Sequence, residues 1–180
     1  KGCKHLIEYF GREQDSMCVY LAMEYADGGT LAKRCADGLL GSWDERKAVC
    51  RQLCHGLLDL HRVCSIVHCD LKPQNVLFKS ERTRVGRSMV LKIADFGLSR
   101  AISMSQSHRT GTHGGAGAGT NCWIPPEGLN GFSMVQMPSL TFSYDVHPCG
   151  SLLFYILSGG HHAFQGRNEP EINLNIINGK

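Results

Sequence analysis

The sequence predicts an α+β fold in which helix outweighs strand, and three observations predict it. Runs rich in β-branched and aromatic residues fall in two places, around residues 6–25 and 76–94. Between them lies a stretch whose apolar residues recur every three or four positions, the spacing of one helix face. A second apolar helix pattern follows near the C-terminal end, after a long polar segment.

Leu6 to Phe10 and Val19 to Tyr25 read as strands, paired through a turn over Gly11 to Ser16. Asp27-Gly28-Gly29 ends the second strand, and Thr30 is placed to cap a short helix that closes at Gly38. Ser42-Trp43-Asp44-Glu45 is a capping box, in which the serine hydroxyl and the glutamate carboxylate each take up a backbone N–H that the helix start leaves free. Behind it Val49, Leu53, Leu57 and Leu60 lay one apolar stripe along a long helix ending near His61. Val76 to Phe78 and Val90 to Ala94 then read as strands, with the polar, basic segment Lys79 to Ser88 between them as a solvated turn. From Ser99 to Gly119 the residues are mostly Ser, Thr, Gly, His and Arg, too poor in apolar surface to order themselves. Loops of that length in compact domains are typically functional or disordered. Pro125-Pro126-Glu127 suits the first turn of a short helix, and Ser151 to Ser158 belongs to an apolar helix that stops at Gly159-Gly160.

Composition narrows the classes. With 42% apolar residues in 180, the chain can build one sizeable core. The net charge of +3 is mild and its basic residues are scattered, so no nucleic-acid contact is expected from this segment. The nine cysteines are odd in number and contain no CxxC pair, which favours free thiols in a reducing, cytoplasmic compartment. Cys50 and Cys54 sit one helical turn apart beside His55, but a zinc site takes about four convergent ligands and a core helix face is the simpler account. The longest apolar run, Leu152 to Leu157, is far short of the ~20 residues that cross a bilayer, so no membrane contact is expected either. A start at Lys1 without an initiator Met, and an end at Lys180, read as a piece of a longer chain.

The chemistry concentrates in Ile66-Val67-His68-Cys69-Asp70-Leu71-Lys72-Pro73-Gln74-Asn75-Val76-Leu77-Phe78. Moving a phosphoryl group requires a group that orients a hydroxyl, a cation against the transferring phosphate and a ligand for divalent metal; Asp70, Lys72 and Asn75 supply one for each. After the next strand comes Asp95-Phe96-Gly97, a second carboxylate followed by a residue that lets the chain turn sharply.

These motifs resemble the eukaryotic protein kinase family. Leu21 to Leu31 looks like the last strand of the smaller lobe running into the hinge. The loop of Asp70, the Asp95-Phe96-Gly97 turn, Trp123-Ile124-Pro125-Pro126-Glu127 and Asp145-Val146-His147-Pro148-Cys149-Gly150 follow in the family's order. The resemblance implies a protein-kinase-like fold over residues 1–180, with 1–29 the end of the N-lobe and hinge and 30–180 a truncated C-lobe. It implies ATP and Mg²⁺ as cofactors and a protein substrate as partner. By the same resemblance Asp70 steers the substrate hydroxyl, Lys72 offsets charge on the γ-phosphate, and Asn75 with Asp95 holds Mg²⁺. Thr120 matches the threonine that hydrogen-bonds near the catalytic Asp when a peptide docks; with Lys72 it marks the Ser/Thr form. The backbone of Glu24 and Ala26 would bond the adenine edge, Met23 would stand as gatekeeper, Leu77 would floor the ring, and Ala94 would line the same pocket. His68 would pack on Phe96, Cys69 would be inert, and Asp145 would brace the catalytic loop.

The pattern also departs from the family. Cys69 stands where most members carry the Arg that pairs with a phosphorylated activation loop, although Ser103, Ser105, Ser107, Thr110 and Thr112 are candidate phosphosites. No Gly-rich loop, strand Lys or helical Glu partner is in view, so this segment alone is expected to be inactive and marginally stable. Gly119 to Glu127, His147 to Phe164 (with Ala163 where Pro is usual) and Asn173 to Gly179 resemble the inositol-requiring kinase/endoribonuclease of the unfolded-protein response. That subfamily implies a parent anchored in the endoplasmic reticulum membrane, with this domain cytosolic and pairing as a homodimer. Three readings follow: an active Ser/Thr kinase, a nucleotide-binding regulatory module, or an inactive gene fragment.

Overall fold

The computed structural model describes residues 2–84, 86–102, 119–130 and 140–180. Its elements in chain order are strands β1 (Tyr9–Gln14) and β2 (Val19–Met23), helices α1 (Leu31–Ala36) and α2 (Trp43–Arg62), and strands β3 (Ile66–Val67), β4 (Val76–Thr83), β5 (Gly86–Ile93) and β6 (Arg100–Ala101). Helix α3 (Pro126–Asn130), a 3-10 turn (Phe142–Asp145), α4 (Val146–Ser158) and α5 (Glu169–Asn178) follow. The strands form three antiparallel pairs, β1 with β2, β3 with β6 and β4 with β5, so the α+β class holds.

Helix α2 organises the core. Both halves of its capping box form: the Ser42 hydroxyl accepts from the Glu45 N–H, and the Glu45 carboxylate accepts from the Ser42 N–H at 2.7 Å. Val49, Leu53, Leu57 and Leu60 are buried along one stripe, as their spacing requires. They pack with Leu71, Val76, Phe78, Leu91 and Ile93 on one side and Leu152 and Ile156 of α4 on the other. Gly56 on the same stripe lets the N-terminal segment approach; a Cβ there would lie 2.9 Å from the His5 carbonyl. That segment covers the edge of β5, with Ile7 N–H donating to Ile93 O at 2.9 Å and Ile93 N–H to His5 O at 2.8 Å.

Two strand expectations need correction. The first strand begins at Tyr9, not Leu6, because Leu6 and Ile7 are buried against β5 instead. The turn accordingly falls at Asp15 to Cys18, where the Asp15 carboxylate accepts from the N–H groups of Met17 (2.8 Å) and Cys18 (2.7 Å). The segment Lys79 to Ser88 is largely strand rather than a solvated turn: pairing continues in register from Val76↔Ile93 to Thr83↔Gly86. Its side chains are polar because that end of the hairpin projects from the core, while its main chain still bonds across the ladder.

The short helices follow their capping signals. Thr30 accepts from the Lys33 N–H at 3.1 Å to start α1, and α4 ends at Gly159 in the left-handed region (φ 82°). All nine cysteines are free thiols. No helix among the described residues is long and apolar enough to cross a membrane. The hydroxyls of Ser103, Ser105, Ser107, Thr110 and Thr112 lie outside the described residues.

Candidate active site

The loop between β3 and β4 is held from below by one buried carboxylate. Asp145 is fully buried and accepts from the backbone N–H of His68 (2.8 Å) and of Cys69 (3.0 Å). A third partner is His61, whose Nε2 lies 2.8 Å from the same carboxylate. Three hydrogen bonds to one charged acceptor fix the loop where Cys69 takes a left-handed conformation (φ 67°), a strained state that persists only when its surroundings hold it. Asp145 thus braces this loop.

His68 is fully buried and links both ends of the constellation. Its Nε2–H donates to the Ala94 carbonyl at 3.0 Å while Nδ1 accepts from the Asp70 N–H at 3.3 Å, which is the neutral tautomer. Burial holds its pKa below the ordinary histidine value. Its ring lies 5.3 Å from that of Phe96, so it packs as expected. Cys69 is buried, and desolvation together with the Asp145 charge pushes its thiol up to about 11, which removes it as a nucleophile.

Above the brace, Asp70, Lys72, Asn75 and Thr120 form one hydrogen-bonded cluster. Lys72 Nζ donates to Asp70 Oδ2 at 2.6 Å and also to the Thr120 hydroxyl, and that hydroxyl donates to Asp70 Oδ1 at 2.7 Å. The Asn75 amide nitrogen donates to the Asp70 carbonyl (2.9 Å) and to Asp70 Oδ2 (3.1 Å). Lys72 keeps partial access to solvent, and Asp70 and Asn75 are buried. Asp95 joins them through the β4–β5 hairpin: Ala94 N–H donates to the Asn75 carbonyl at 2.9 Å, so Asp95 is the next residue out at the same end. Asp95 is exposed and is itself the left-handed residue of the turn (φ 64°), while Gly97 does not take a positive φ.

The donor set fits magnesium. The Asn75 nitrogen is committed to Asp70, which leaves its amide oxygen as the group to meet a cation; with the exposed Asp95 carboxylate this offers two hard oxygen donors and no thiolate or imidazole. Mg²⁺ takes one or two protein oxygens and completes its shell with phosphate and water.

The expected nucleotide residues lie two positions along β4 from this cluster and on the segment that crosses it. Gly28 N–H donates to Phe78 O at 2.7 Å and Phe78 N–H to Gly29 O at 2.9 Å, so the connector after β2 runs along β4. Gly28 has to be glycine at that approach, since a Cβ would lie 2.7 Å from the Phe78 carbonyl. Leu77 is bridged to Thr30 of that connector, Glu24 reaches Lys79 two positions further along β4, and Ala94 is buried just beyond the end of β5. Met23 is 47% exposed, so it is not a core residue within the described chain. Glu24 N–H donates to Glu8 O at 2.7 Å. Its carboxylate, which sequence reasoning overlooked, pairs with Lys79 and with Lys92 (3.0 Å). Burial alone would raise that carboxyl, but the two lysines and the Glu8 N–H outweigh it and hold the pKa below the usual glutamate range.

The C-terminal motifs close the far side. The His162 Nε2–H donates to the Cys122 carbonyl at 2.9 Å, and the Cys122 N–H donates to Asn173 Oδ1 of α5 at 2.8 Å. The Trp123 ring meets His162 edge-on at 4.7 Å and Tyr155 at 5.9 Å. The segment that carries Thr120 is thereby anchored to α4 and α5. Sequence reasoning also missed His61 as the third partner of Asp145; its signal was a histidine four positions after Leu57, in line with the buried stripe of α2.

The protein kinase domain family matches residues 1–179 of this chain. The chain is similar to the serine/threonine-protein kinase/endoribonuclease ireA of Aspergillus fumigatus, 32% identical over 202 residues that cover 97% of the chain and 17% of that protein. It is similar to the serine/threonine-protein kinase/endoribonuclease ire-1 of Caenorhabditis elegans, 30% identical over 187 residues, 98% of the chain and 17% of that protein. A further relative is the serine/threonine-protein kinase Nek8 of Danio rerio, 32% identical over 182 residues, 97% of the chain and 22% of that protein. The chain therefore spans between 17% and 22% of the length of these relatives.

Proposed function

Because this chain belongs to the protein kinase domain family, we propose that it carries the phosphoryl-transfer face of a Ser/Thr protein kinase, acting within a longer parent protein. The observation that carries this reading is the single cluster of Asp70, Lys72, Asn75 and Thr120, with Asp95 at the end of the adjoining strand. In it Asp70 orients the hydroxyl of a protein substrate and takes its proton at a carboxylate oxygen. Lys72 faces the γ-phosphate of ATP, and Thr120 keeps both side chains in register. Asn75 Oδ1 and Asp95 hold Mg²⁺, which supplies charge neutralisation on the phosphates. Met23, the backbone of Glu24 and Ala26, Leu77 and Ala94 form the adenine side, an apolar slot with a few backbone bonds of the kind flat heterocycles take. Residues 1–29 are then the end of the smaller lobe and the hinge, and 30–180 belong to the larger lobe.

The finer identity we propose is the cytosolic kinase domain of an unfolded-protein-response kinase/endoribonuclease, anchored in the endoplasmic reticulum membrane and paired with a second kinase domain. The relatives named kinase/endoribonuclease support it, as does the packing of His162 and Trp123 that unites the two most individual segments. Cys69 favours a second reading, a regulatory module that answers to bound nucleotide, because the usual arginine link to a phosphorylated loop is missing. The test is Mg²⁺-dependent transfer of labelled γ-phosphate by the parent protein and by its Asp70→Asn variant. A loss of about a hundredfold or more in kcat is expected, as for removal of a general base. Equal downstream signalling by both proteins would favour the regulatory module.

A further inference from the structure

The connector between β2 and α1 is latched to the β4–β5 hairpin at two points, one on each side of the backbone expected to read adenine. On one side the Glu24 side chain, 7% exposed, meets Lys79 of β4 and Lys92 of β5, and Lys92 is itself only 8% exposed. The same carboxylate accepts from the Glu8 N–H at 3.2 Å, and Lys92 Nζ lies 3.5 Å from the Leu6 carbonyl. On the other side the Asp27 carboxylate accepts from the Ser80 N–H at 2.7 Å and from its hydroxyl. Directly after the second latch, the Gly28–Phe78 bond fixes the register of the connector on β4.

A carboxylate loses its hydration on burial, so Glu24 keeps its place only because cations and the Glu8 N–H meet it. An apolar residue would fill the same volume at lower cost, and Met23 beside it points to solvent instead. From this we infer that Glu24, through Lys79 and Lys92, is a positioning residue for nucleotide: it fixes the height of its own carbonyl and of the Ala26 N–H against β4. This rests on the nucleotide reading above. Hydrogen bonds weaken steeply with angle and distance, so a connector that slides by a fraction of an ångström loses adenine affinity while the Asp70 cluster, anchored separately by Asp145, keeps its geometry.

The test uses the parent protein and the two lysines, which the Asp70 cluster does not contain. Lys92→Met and Lys79→Met are compared with wild type for affinity toward a fluorescent ATP analogue, KM for ATP, kcat and melting temperature. For Lys92→Met the affinity is expected to fall about tenfold, the size of losing one charge-assisted hydrogen bond, with kcat at saturating ATP kept within about twofold. For Lys79→Met, which leaves Glu24 paired with Lys92, a fall of about threefold is expected, and Lys79→Arg restores it. Wild-type affinity in both variants, or a drop in kcat at unchanged KM, overturns the inference, as does a lowered melting temperature without any change in nucleotide affinity. Should Lys92→Met fail to fold, Lys79→Met decides, because the Lys79 side chain is 35% exposed and Glu24 keeps its pair with Lys92. A wild-type protein that binds no ATP analogue would instead sink the nucleotide reading itself.

Discussion

Two hairpins of this chain have similar length and pairing but opposite surroundings. In β4–β5, Val76, Phe78, Leu91 and Ile93 are essentially sealed from solvent, and the loop leading into it is held by hydrogen bonds at His68, Cys69, Asp70 and Asn75. In β1–β2, the pairing from Gly11↔Ala22 to Gln14↔Val19 is intact, yet Phe10 is 64% exposed, Leu21 56% and Tyr20 54%. Main-chain ladders therefore make a strand, while side-chain burial decides what that strand contributes to stability. The active-site candidate grows from the β4–β5 hairpin, where both are present.

The largest break in this contrast is Asp145→Ala. It leaves the N–H groups of His68 and Cys69 unpaired in the interior, so a loss of about 3–5 kcal/mol is expected in a denaturant melt of the parent domain. Phe78→Ala empties the centre of the β4 side of the core, for an expected loss of about 3–5 kcal/mol by the same measurement. Thr120→Ala removes one hydroxyl shared by Asp70 and Lys72; about 1 kcal/mol of stability and a measurable fall in kcat/KM are expected. Acid acts through His68. Its folded pKa lies below the unfolded value of 6.5, so the unfolded chain takes up the proton first and the stability His68 contributes is present above that value. That contribution is lost as pH falls from 6.5 toward the lower folded pKa, so the melting temperature should drop over this window, and less so in His68→Asn. At the small end, Leu21→Thr on the exposed face of β2 should change stability by less than about 0.5 kcal/mol; a larger loss would mean that face is covered in the parent protein.

Much of this was legible before any coordinates. Ser42 and Glu45 announced α2 because capping is local chemistry, written in adjacent residues. The stripe of Val49, Leu53, Leu57 and Leu60 was legible for the same reason, since helix periodicity maps directly onto burial. Asp70, Lys72, Asn75 and Asp95 were legible as a set because each is a residue type with one strong chemical use, spaced in a recognisable order. The outer half of β4–β5 was not legible: Lys79 to Ser88 carries polar side chains, and cross-strand main-chain bonds leave no trace in side-chain pattern. The Glu24–Lys92 and His61–Asp145 pairs escaped for another reason, since partners 68 and 84 positions apart meet only once the chain has folded. The first strand was misplaced because Leu6 and Ile7 are apolar in order to cover β5, which looks the same in one dimension as being a strand of the first hairpin.

The reach of Asp145 also sets a timetable for synthesis. The carboxylate lies 77 residues downstream of the His68 amide it receives. At ordinary ribosomal speed that gap lasts roughly 4 to 15 s, during which the nascent loop has emerged without its anchor. The left-handed turn at Cys69 must then arise late, when the start of α4 arrives, and a ribosome halted before that point would carry α2 with part of its apolar stripe uncovered and the Asp70 loop without its brace.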